Sequence, residues 1–299
     1  MRALLVLIAV TAVWGVTFVQ VKDAVALYPL FAFLALRFAI ASLTLAAPGA
    51  RRLRSLGRVG GAAAVLAGSL LGAGYALQTA GLERTSVSST GFITGMYVVL
   101  TPLLALALFR VRVGAAAWIG VSLATVGLAL LSGVHQGSAL GDLLVLAGSA
   151  VYSLQIVLME RYAPRYDATA FTLVEMVTSF AGLLVIAVAL GQLHVPHGWT
   201  VWGALLVTGV FASALAYLAQ TWAQQRASAT RTALVFSLEP VWTAFFGFTL
   251  AGDRLGVSAW FGCAVIMSGI VIAEPAAAGA LARLVRRTGV GSTEPQETP

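Results

Sequence analysis

The sequence predicts an all-α membrane protein with ten transmembrane helices, arranged as two five-helix inverted repeats with both termini in the cytoplasm. Three observations predict this fold class: the apolar composition, the spacing of the apolar segments, and a pattern shared by the two halves of the chain. Of the 299 residues, 60% are hydrophobic and only 10% are charged. A soluble core of this size could not bury so much apolar surface, so the excess is expected to face lipid.

A bilayer core of about 30 Å requires about 20 apolar residues in a helix. The chain contains ten segments of roughly this kind, separated by short connections rich in glycine, proline and charged residues. The predicted spans are 3–21, 31–47, 60–80, 87–109, 114–131, 142–159, 169–190, 200–223, 231–250 and 256–273. The first segment has the charged start of a secretory signal, but its apolar run continues to Val21, so we interpret it as a retained helix.

The distribution of lysine and arginine predicts the orientation of these spans. If the N-terminus is cytoplasmic, 14 of these residues fall on the inner side and three on the outer side, while Arg37 lies within a span. This bias predicts cytoplasmic N- and C-termini and a location in the cell (plasma or inner) membrane. The net charge of +7 therefore indicates membrane topology and no nucleic-acid partner.

The second half of the chain resembles the first. YALQTAGLERTS (75–86) matches YLAQTWAQQRAS (217–228) at five positions with an offset of 142, and AVWG (12–15) matches AVYS (150–153) with an offset of 138. Because each repeat has an odd number of helices, the second enters the membrane from the opposite side, as in many secondary transporters. The predicted units are a first repeat at 3–132, a second repeat at 141–273 and a disordered cytoplasmic tail at 275–299.

Four segments resemble the signature sequences of the EamA family, which belongs to the drug/metabolite transporter superfamily. They are WGVTF (14–18), ALRF (35–38), TGFITGMYVVLTPLL (90–104) and SLEPVWTAFFG (237–247). The resemblance covers both halves and implies a ten-helix inner-membrane carrier that exports small metabolites, amino acids among them, by alternating access. It carries the motif arginine of the family over to Arg37, and the LEP segment over to Glu239 and Pro240.

Ionisable residues inside a span are functional candidates because a charge is costly there. Arg37 could attract a substrate carboxylate or make a fixed structural contact. Glu239 could exchange a proton, bind an amino group or bond to a neighbouring helix. Glu175 aligns with Arg37 at the offset of 138, and could take part in transport or simply meet cytoplasmic water.

Aromatic and polar residues within the spans are predicted to line a substrate cavity, because apolar walls with a few polar tips suit a small metabolite. Packing between helices is the alternative for each of them. The predicted set is Trp14, Thr17, Phe18, Arg37, Tyr75, Gln78, Thr94, Tyr97, Tyr152, Gln155, Glu175, Tyr217, Gln220, Glu239 and Trp242.

Proline and glycine predict local features of the helices. Pro102 and Pro240 are predicted to kink the fourth and ninth spans, because proline removes a backbone hydrogen bond. Four repeat-related glycines lie on one face of the fifth or tenth helix and predict close packing of these two helices. They are Gly120, Gly127, Gly262 and Gly269.

The residues do not predict an enzyme, a cofactor or a metal site. The chain has no paired-acid or HExxH motif, and its three histidines lie in predicted outer loops. His194 and His197 have no third ligand nearby in the sequence, so a solvated loop is expected. The single cysteine, Cys263, excludes an intramolecular disulfide and a multi-cysteine metal site.

The predicted function is a secondary transporter that exports a small metabolite, best an amino acid, with the substrate and the lipid bilayer as its partners. The sequence does not decide whether transport is coupled to protons. It is compatible with a monomer. The alternatives are a lipid scramblase or non-transporting scaffold, and an importer or multidrug carrier of the same superfamily. A scramblase should show a polar furrow open to lipid, whereas a carrier should enclose its polar residues between the repeats.

Overall fold

The computed structural model describes residues 2–132, 138–246, 248–249 and 256–273, and this part of the chain is all-helical. The predicted tail at 275–299 lies outside the described residues. The helices are α1 (Arg2–Leu27), α2 (Leu30–Ala50), α3 (Gly57–Leu82), α4 (Val87–Gly95), α5 (Tyr97–Phe109), α6 (Ala115–Ser132), α7 (Ala139–Tyr162), α8 (Ala168–Ala189), α9 (Trp199–Gly209), α10 (Ala216–Gln224), α11 (Ala229–Phe236), α12 (Glu239–Phe246) and α13 (Val257–Ala273). Short 3₁₀ turns follow α2 and α7, and the π-helical segment Val210–Leu215 joins α9 to α10.

Seven helical segments within the described ranges are long and apolar enough to cross a bilayer. They are Arg2–Leu27, Leu30–Ala50, Leu53–Leu82, Ser89–Phe109, Ala139–Arg165, Ala168–Ala189 and Trp199–Gln224. Two shorter apolar helices, Ala115–Leu131 and Val257–Ala273, lie at the predicted fifth and tenth spans. The predicted ninth span, 231–250, is divided into α11 and α12. The chain is thus a multi-pass membrane protein by these seven helices, and the count of ten stays a prediction.

The distribution of side chains is that of a protein dissolved in lipid. Leu43 and Val185 on the outside of the bundle are 74% and 68% exposed, whereas Ser153 and Thr172 in its interior are fully buried. Water would penalise such an apolar surface, but lipid solvates it. The buried hydroxyls find partners inside the protein, because Ser153 donates to Ser149 O and the Thr172 hydroxyl bonds the hydroxyl of Thr221.

Serine caps begin the two short helices that start the predicted fourth and ninth spans. Ser86 Oγ accepts a hydrogen bond from Ser89 N at the start of α4, and Ser228 Oγ accepts one from Arg231 N at the start of α11. Each cap satisfies a backbone N–H that has no partner within its helix. The two serines are 142 residues apart, so the offset found in the sequence also relates two local structures.

Both of these spans are interrupted ahead of their prolines. α4 ends at Gly95, and Pro102 lies inside α5. α11 ends at Phe236, and Pro240 is the second residue of α12. Pro240 is tolerated in the first turn of α12 because the N–H that proline lacks would have no partner there. Kinks at the prolines themselves stay a prediction.

The four glycines singled out from the sequence lie where α6 meets α13. A Cβ atom on Gly120 would lie 2.6 Å from Gly269 O, and one on Gly127 would lie 2.6 Å from Gly262 O. The reverse contacts are equally short, at 2.7 Å from Gly269 to Gly120 O and 2.6 Å from Gly262 to Gly127 O. Two backbones can approach this closely only where side chains are absent.

Asp167 connects the start of α8 to the turn after α2. Its Oδ1 accepts hydrogen bonds from Thr169 N and Ala170 N, both at 3.0 Å, and its Oδ2 accepts one from Arg52 Nη1 at 2.8 Å. Burial raises the pKa of Asp167, but these hydrogen bonds and the Arg52 charge outweigh it, so the net pKa lies below its ordinary value.

Asp167→Ala is expected to lower the free energy of unfolding by about 1 kcal/mol at neutral pH, because it removes the cap of α8. The pKa in the folded state is depressed, so this stabilisation is present above the unfolded pKa of about 4 and is lost as the pH falls through the folded pKa. Unfolding in detergent at pH 7 and at pH 3 measures both effects. Arg52→Ala keeps the cap and is expected to cost less, because an exposed ion pair stabilises little. An equal loss in both variants would contradict the capping role.

Candidate substrate cavity

A small cavity of about 60 Å³ lies in the interior of the helix assembly, and both aromatic and polar side chains line it. Thirteen of the fifteen residues predicted from the sequence line it: Trp14, Thr17, Phe18, Arg37, Tyr75, Gln78, Thr94, Tyr97, Tyr152, Gln155, Tyr217, Gln220 and Glu239. The sequence prediction missed five further lining residues: Val21, Thr79, Leu82, Ile156 and Phe236. The four apolar ones are indistinguishable in sequence from side chains that pack or face lipid.

Aromatic rings form much of the cavity wall. The Tyr75 ring centroid lies 5.6 Å from that of Tyr152 and 6.3 Å from that of Tyr217, both in edge-to-face contact. Trp14 lies 5.4 Å from Tyr217 by the same measure, and its Nε1 donates to Ala212 O at 2.9 Å. Edge-to-face pairs orient rings and stabilise beyond burial alone, and these tyrosines contribute hydroxyl groups to the cavity wall.

Arg37 projects from α2 into the cavity wall with only 3% of its surface exposed. Its Nε donates to Ser213 Oγ at 2.7 Å, and its Nη2 donates to the Tyr75 hydroxyl at 2.9 Å and to Ala212 O at 3.4 Å. The guanidinium carbon also lies 4.5 Å from the centre of the Tyr75 ring. All of these partners are neutral, and the ion pairs Arg52–Asp167 and Arg84–Glu83 do not involve Arg37.

The π-helical segment supplies two of the oxygens that hold Arg37. Ser213 and Ala212 lie in Val210–Leu215, where the wider turn shifts the hydrogen-bond register of the helix. Such segments are frequent at functional sites. Sequence reasoning did not find Ser213, because the apolar stretch around it carries no signal for a π turn.

Glu239 is the acid of the cavity, and it is 8% exposed. The Tyr97 hydroxyl donates to Phe236 O at 2.8 Å and to Glu239 Oε2 at 3.3 Å. Glu239 is also the first residue of α12, directly after the interruption of the span.

Four polar side chains complete the lining and bond one another. Gln78 Nε2 donates to Thr94 Oγ1 at 2.9 Å, and Gln220 Nε2 donates to Gln155 Oε1 at 3.2 Å. The Tyr152 hydroxyl donates to Gln78 Oε1 at 3.1 Å. Gln220 Oε1 is buried and has no partner. These groups offer both donors and acceptors, so they can orient a polar solute.

Two predicted residues do not line this cavity. Glu175 is fully buried on α8, where its Oε1 accepts from Gln155 Nε2 at 2.7 Å and its Oε2 has no partner. It therefore reaches the cavity only through Gln155. Trp242 packs against Phe246 and against Gly15, whose Cβ position lies 2.7 Å from Trp242 Cβ. The rotation of α8 and of α12 about their own axes decides that Glu175 and Trp242 do not reach the cavity. The spacing of residues along the chain did not predict this rotation.

No group of three histidine, cysteine, aspartate or glutamate side chains able to hold a metal ion occurs in the described part of the chain. His194 lies in the connection between α8 and α9, where its carbonyl accepts a hydrogen bond from the Tyr28 hydroxyl. The His197 ring nitrogen Nδ1 lies 2.6 Å from Val195 O in the same connection.

Long apolar helices around an internal cavity with one cation and one acid define a multi-pass membrane protein with a polar site among its helices. The sequence matches the model of the EamA-like transporter family over residues 1–133 and 139–273, and the chain belongs to that family.

Similar proteins also have the names of transporters and not of enzymes. The chain is 30% identical over 266 residues to an "Uncharacterized transporter" of Archaeoglobus fulgidus, covering 88% of this chain and 82% of that protein. It is 27% identical over 212 residues to the "Uncharacterized transporter YyaM" of Bacillus subtilis, covering 67% and 68% of the two chains.

A solved structure described as "Crystal structure of protein" shares the fold. It superposes with a TM-score of 0.78 at 20% sequence identity, covering 96% of this chain and 99% of that one. This likeness concerns the fold alone.

Proposed function

We propose that this protein is a secondary transporter that moves small metabolites, best amino acids or related compounds, out of the cell by alternating access. In this proposal the chain forms ten transmembrane helices in two inverted repeats, and both termini lie in the cytoplasm. The excess of arginine in the connections assigned to the inner side supports this orientation.

A contact between two repeat-related residues supports the inverted repeat. The Tyr217 hydroxyl donates to the Tyr75 hydroxyl at 3.2 Å, and these residues are 142 apart. A two-fold axis in the membrane plane brings equivalent residues together where it crosses the protein, near the midplane site of such transporters.

The environment of Arg37 carries the proposal for the substrate. A buried cation that bonds only neutral oxygens is costly in a membrane protein, and a substrate carboxylate would complete its charge pairing. Its planar fork of N–H groups matches a carboxylate geometrically. Glu239 lines the same cavity more than 4.0 Å from Arg37 and can accept hydrogen bonds from an ammonium group. In this proposal an amino acid places its carboxylate at Arg37 and its ammonium group at Glu239.

Transport by purified protein in liposomes tests this function. The liposomes are loaded with a panel of labelled amino acids, a sugar and a cationic drug, and release is followed for each solute. Release of amino acids ahead of the sugar and the drug is the expected result. Release of the drug alone would favour a multidrug carrier of the same superfamily. Lipid flipping without release of any solute would favour a scramblase. The polar residues of the lining are buried among the helices, which favours a carrier over the open furrow of a scramblase.

Glu239→Gln is expected to remove the response of transport to a pH gradient, because an amide cannot exchange a proton. We expect an imposed gradient to alter amino-acid release by the unmodified protein and to leave release by the variant unchanged. Glu83→Gln is the matched control, since Glu83 lies outside the cavity in an exposed pair with Arg84. A gradient response that persists in Glu239→Gln would exclude this residue as the coupling group. No response in the unmodified protein would indicate uncoupled transport.

A further inference from the structure

A second cavity, of about 810 Å³, opens at the end of the bundle that carries Arg52, Arg165 and Arg226. It lies between the start of α1, the end of α10 and the connection from α7 to α8. It shares no lining residue with the candidate substrate cavity, and the proposed transport does not use it.

One wall of this cavity is an apolar stripe along a single helix face. Leu215, Leu218 and Trp222 follow one another at intervals of three and four residues, so they lie above one another on the π segment and α10. The stripe is about 10 Å long at 1.5 Å per residue, and Leu215 is 44% exposed. Val6 of α1 lies across from it, and Gln225 ends it on the polar side.

The other end of the cavity is basic. The Asp167 carboxylate is satisfied by two backbone N–H groups and by Arg52 Nη1. In the described structure the other guanidinium N–H groups of Arg52, and all of those of Arg165, make no hydrogen bond to the protein. The guanidinium carbon of Arg226 lies 4.4 Å from the centre of the Trp222 ring, which adds a third positive charge at this end.

We propose that this cavity binds an anionic phospholipid from the membrane leaflet on this side. The phosphate bonds Arg52 and Arg165, whose forked N–H groups match phosphate oxygens. One acyl chain follows the stripe from Trp222 to Leu215. A tryptophan at the boundary between apolar and basic surfaces is the position that such rings prefer at a membrane interface. Basic pockets between transmembrane helices recognise anionic head groups in this way.

Native mass spectrometry of the protein, taken from bilayers with equal amounts of phosphatidylglycerol and phosphatidylcholine, tests the site. We expect one phosphatidylglycerol to be retained per chain, at least tenfold above phosphatidylcholine. The double variant Arg52→Gln/Arg165→Gln is expected to lose this preference. Its matched control is Arg54→Gln/Arg58→Gln, which removes the same charge from exposed arginines at the same end that do not line the cavity.

A second pair of variants tests the acyl wall. Leu215→Gln is expected to lower retention about tenfold, and Leu206→Gln is its control, because Leu206 is also 44% exposed on α9 but lies outside the cavity. Equal retention of the two lipids by the unmodified protein would overturn the proposal. So would phosphatidylglycerol retention that is the same in both arginine double variants. Each result is read from bound mass, so it does not depend on transport activity.

Discussion

Arg37→Ala is expected to lower the transport of a carboxylate-bearing substrate by about 100-fold. The guanidinium is buried in the wall of the cavity, and its hydrogen bonds run only to neutral oxygens. A hydrogen bond between charged groups contributes about 1.5–3 kcal/mol, and each 1.4 kcal/mol corresponds to a factor of ten in affinity. The loss is expected mainly in the apparent affinity for the substrate, since the contact forms when the substrate binds.

The folded state is expected to survive this substitution, because alanine leaves no opposite charge unpaired. Ser213 and Tyr75 are neutral and remain next to the cavity, where the substrate or solvent can satisfy them. Thermal unfolding in detergent, measured beside liposome release, separates loss of binding from loss of folding. Arg37→Lys keeps the charge but not the fork, so we expect an intermediate loss.

Arg58→Ala serves as the control for Arg37→Ala, because Arg58 is an exposed arginine at the start of α3. Normal transport by Arg37→Ala would show that Arg37 does not bind the substrate. Failure of that variant to fold would assign Arg37 a structural role in holding the π segment.

Gly127→Val is expected to lower the free energy of unfolding by roughly 2–3 kcal/mol. Its Cβ would lie 2.6 Å from Gly262 O and 2.8 Å from Ile266 N, and backbone atoms cannot move aside as a flexible side chain can. α6 and α13 must therefore separate, and overpacking of this kind typically costs about 1–3 kcal/mol before the lost contacts between the helices are counted.

Gly182→Val is the matched control for this substitution. Gly182 lies within α8, and a Cβ atom there would meet nothing within 4 Å, so the change in helix propensity is the same without the clash. Unfolding temperature in detergent, together with the yield of membrane-inserted protein, measures the difference. Equal stability of the two variants would show that the close approach of α6 and α13 is dispensable.

The sequence by itself determined that lipid surrounds the helices of this protein and which family the protein belongs to. An apolar fraction of 60% in long segments requires lipid around the helices, whatever their arrangement. Large polar side chains in such a segment are expected to face the interior, because lipid offers them no hydrogen bond. Small exposed hydroxyls, such as those of Thr44 and Ser69, instead donate to the carbonyl four residues earlier in their own helix. Thirteen of the fifteen predicted residues therefore lie around one cavity, although no contact between them could be read from the sequence.

Only the tertiary structure decided which groups meet. Glu175 is an ionisable residue within a predicted span, yet it lies behind Gln155 and does not line the cavity. Arg37 donates a hydrogen bond to Ser213, which lies in a π-helical segment that no sequence pattern predicted. The physical reason is that lipid-facing and helix-facing surfaces are both apolar here, so the sequence carries little periodic signal for how each helix is rotated. Packing of one helix against another fixes that rotation, and with it the direction in which every buried polar group points.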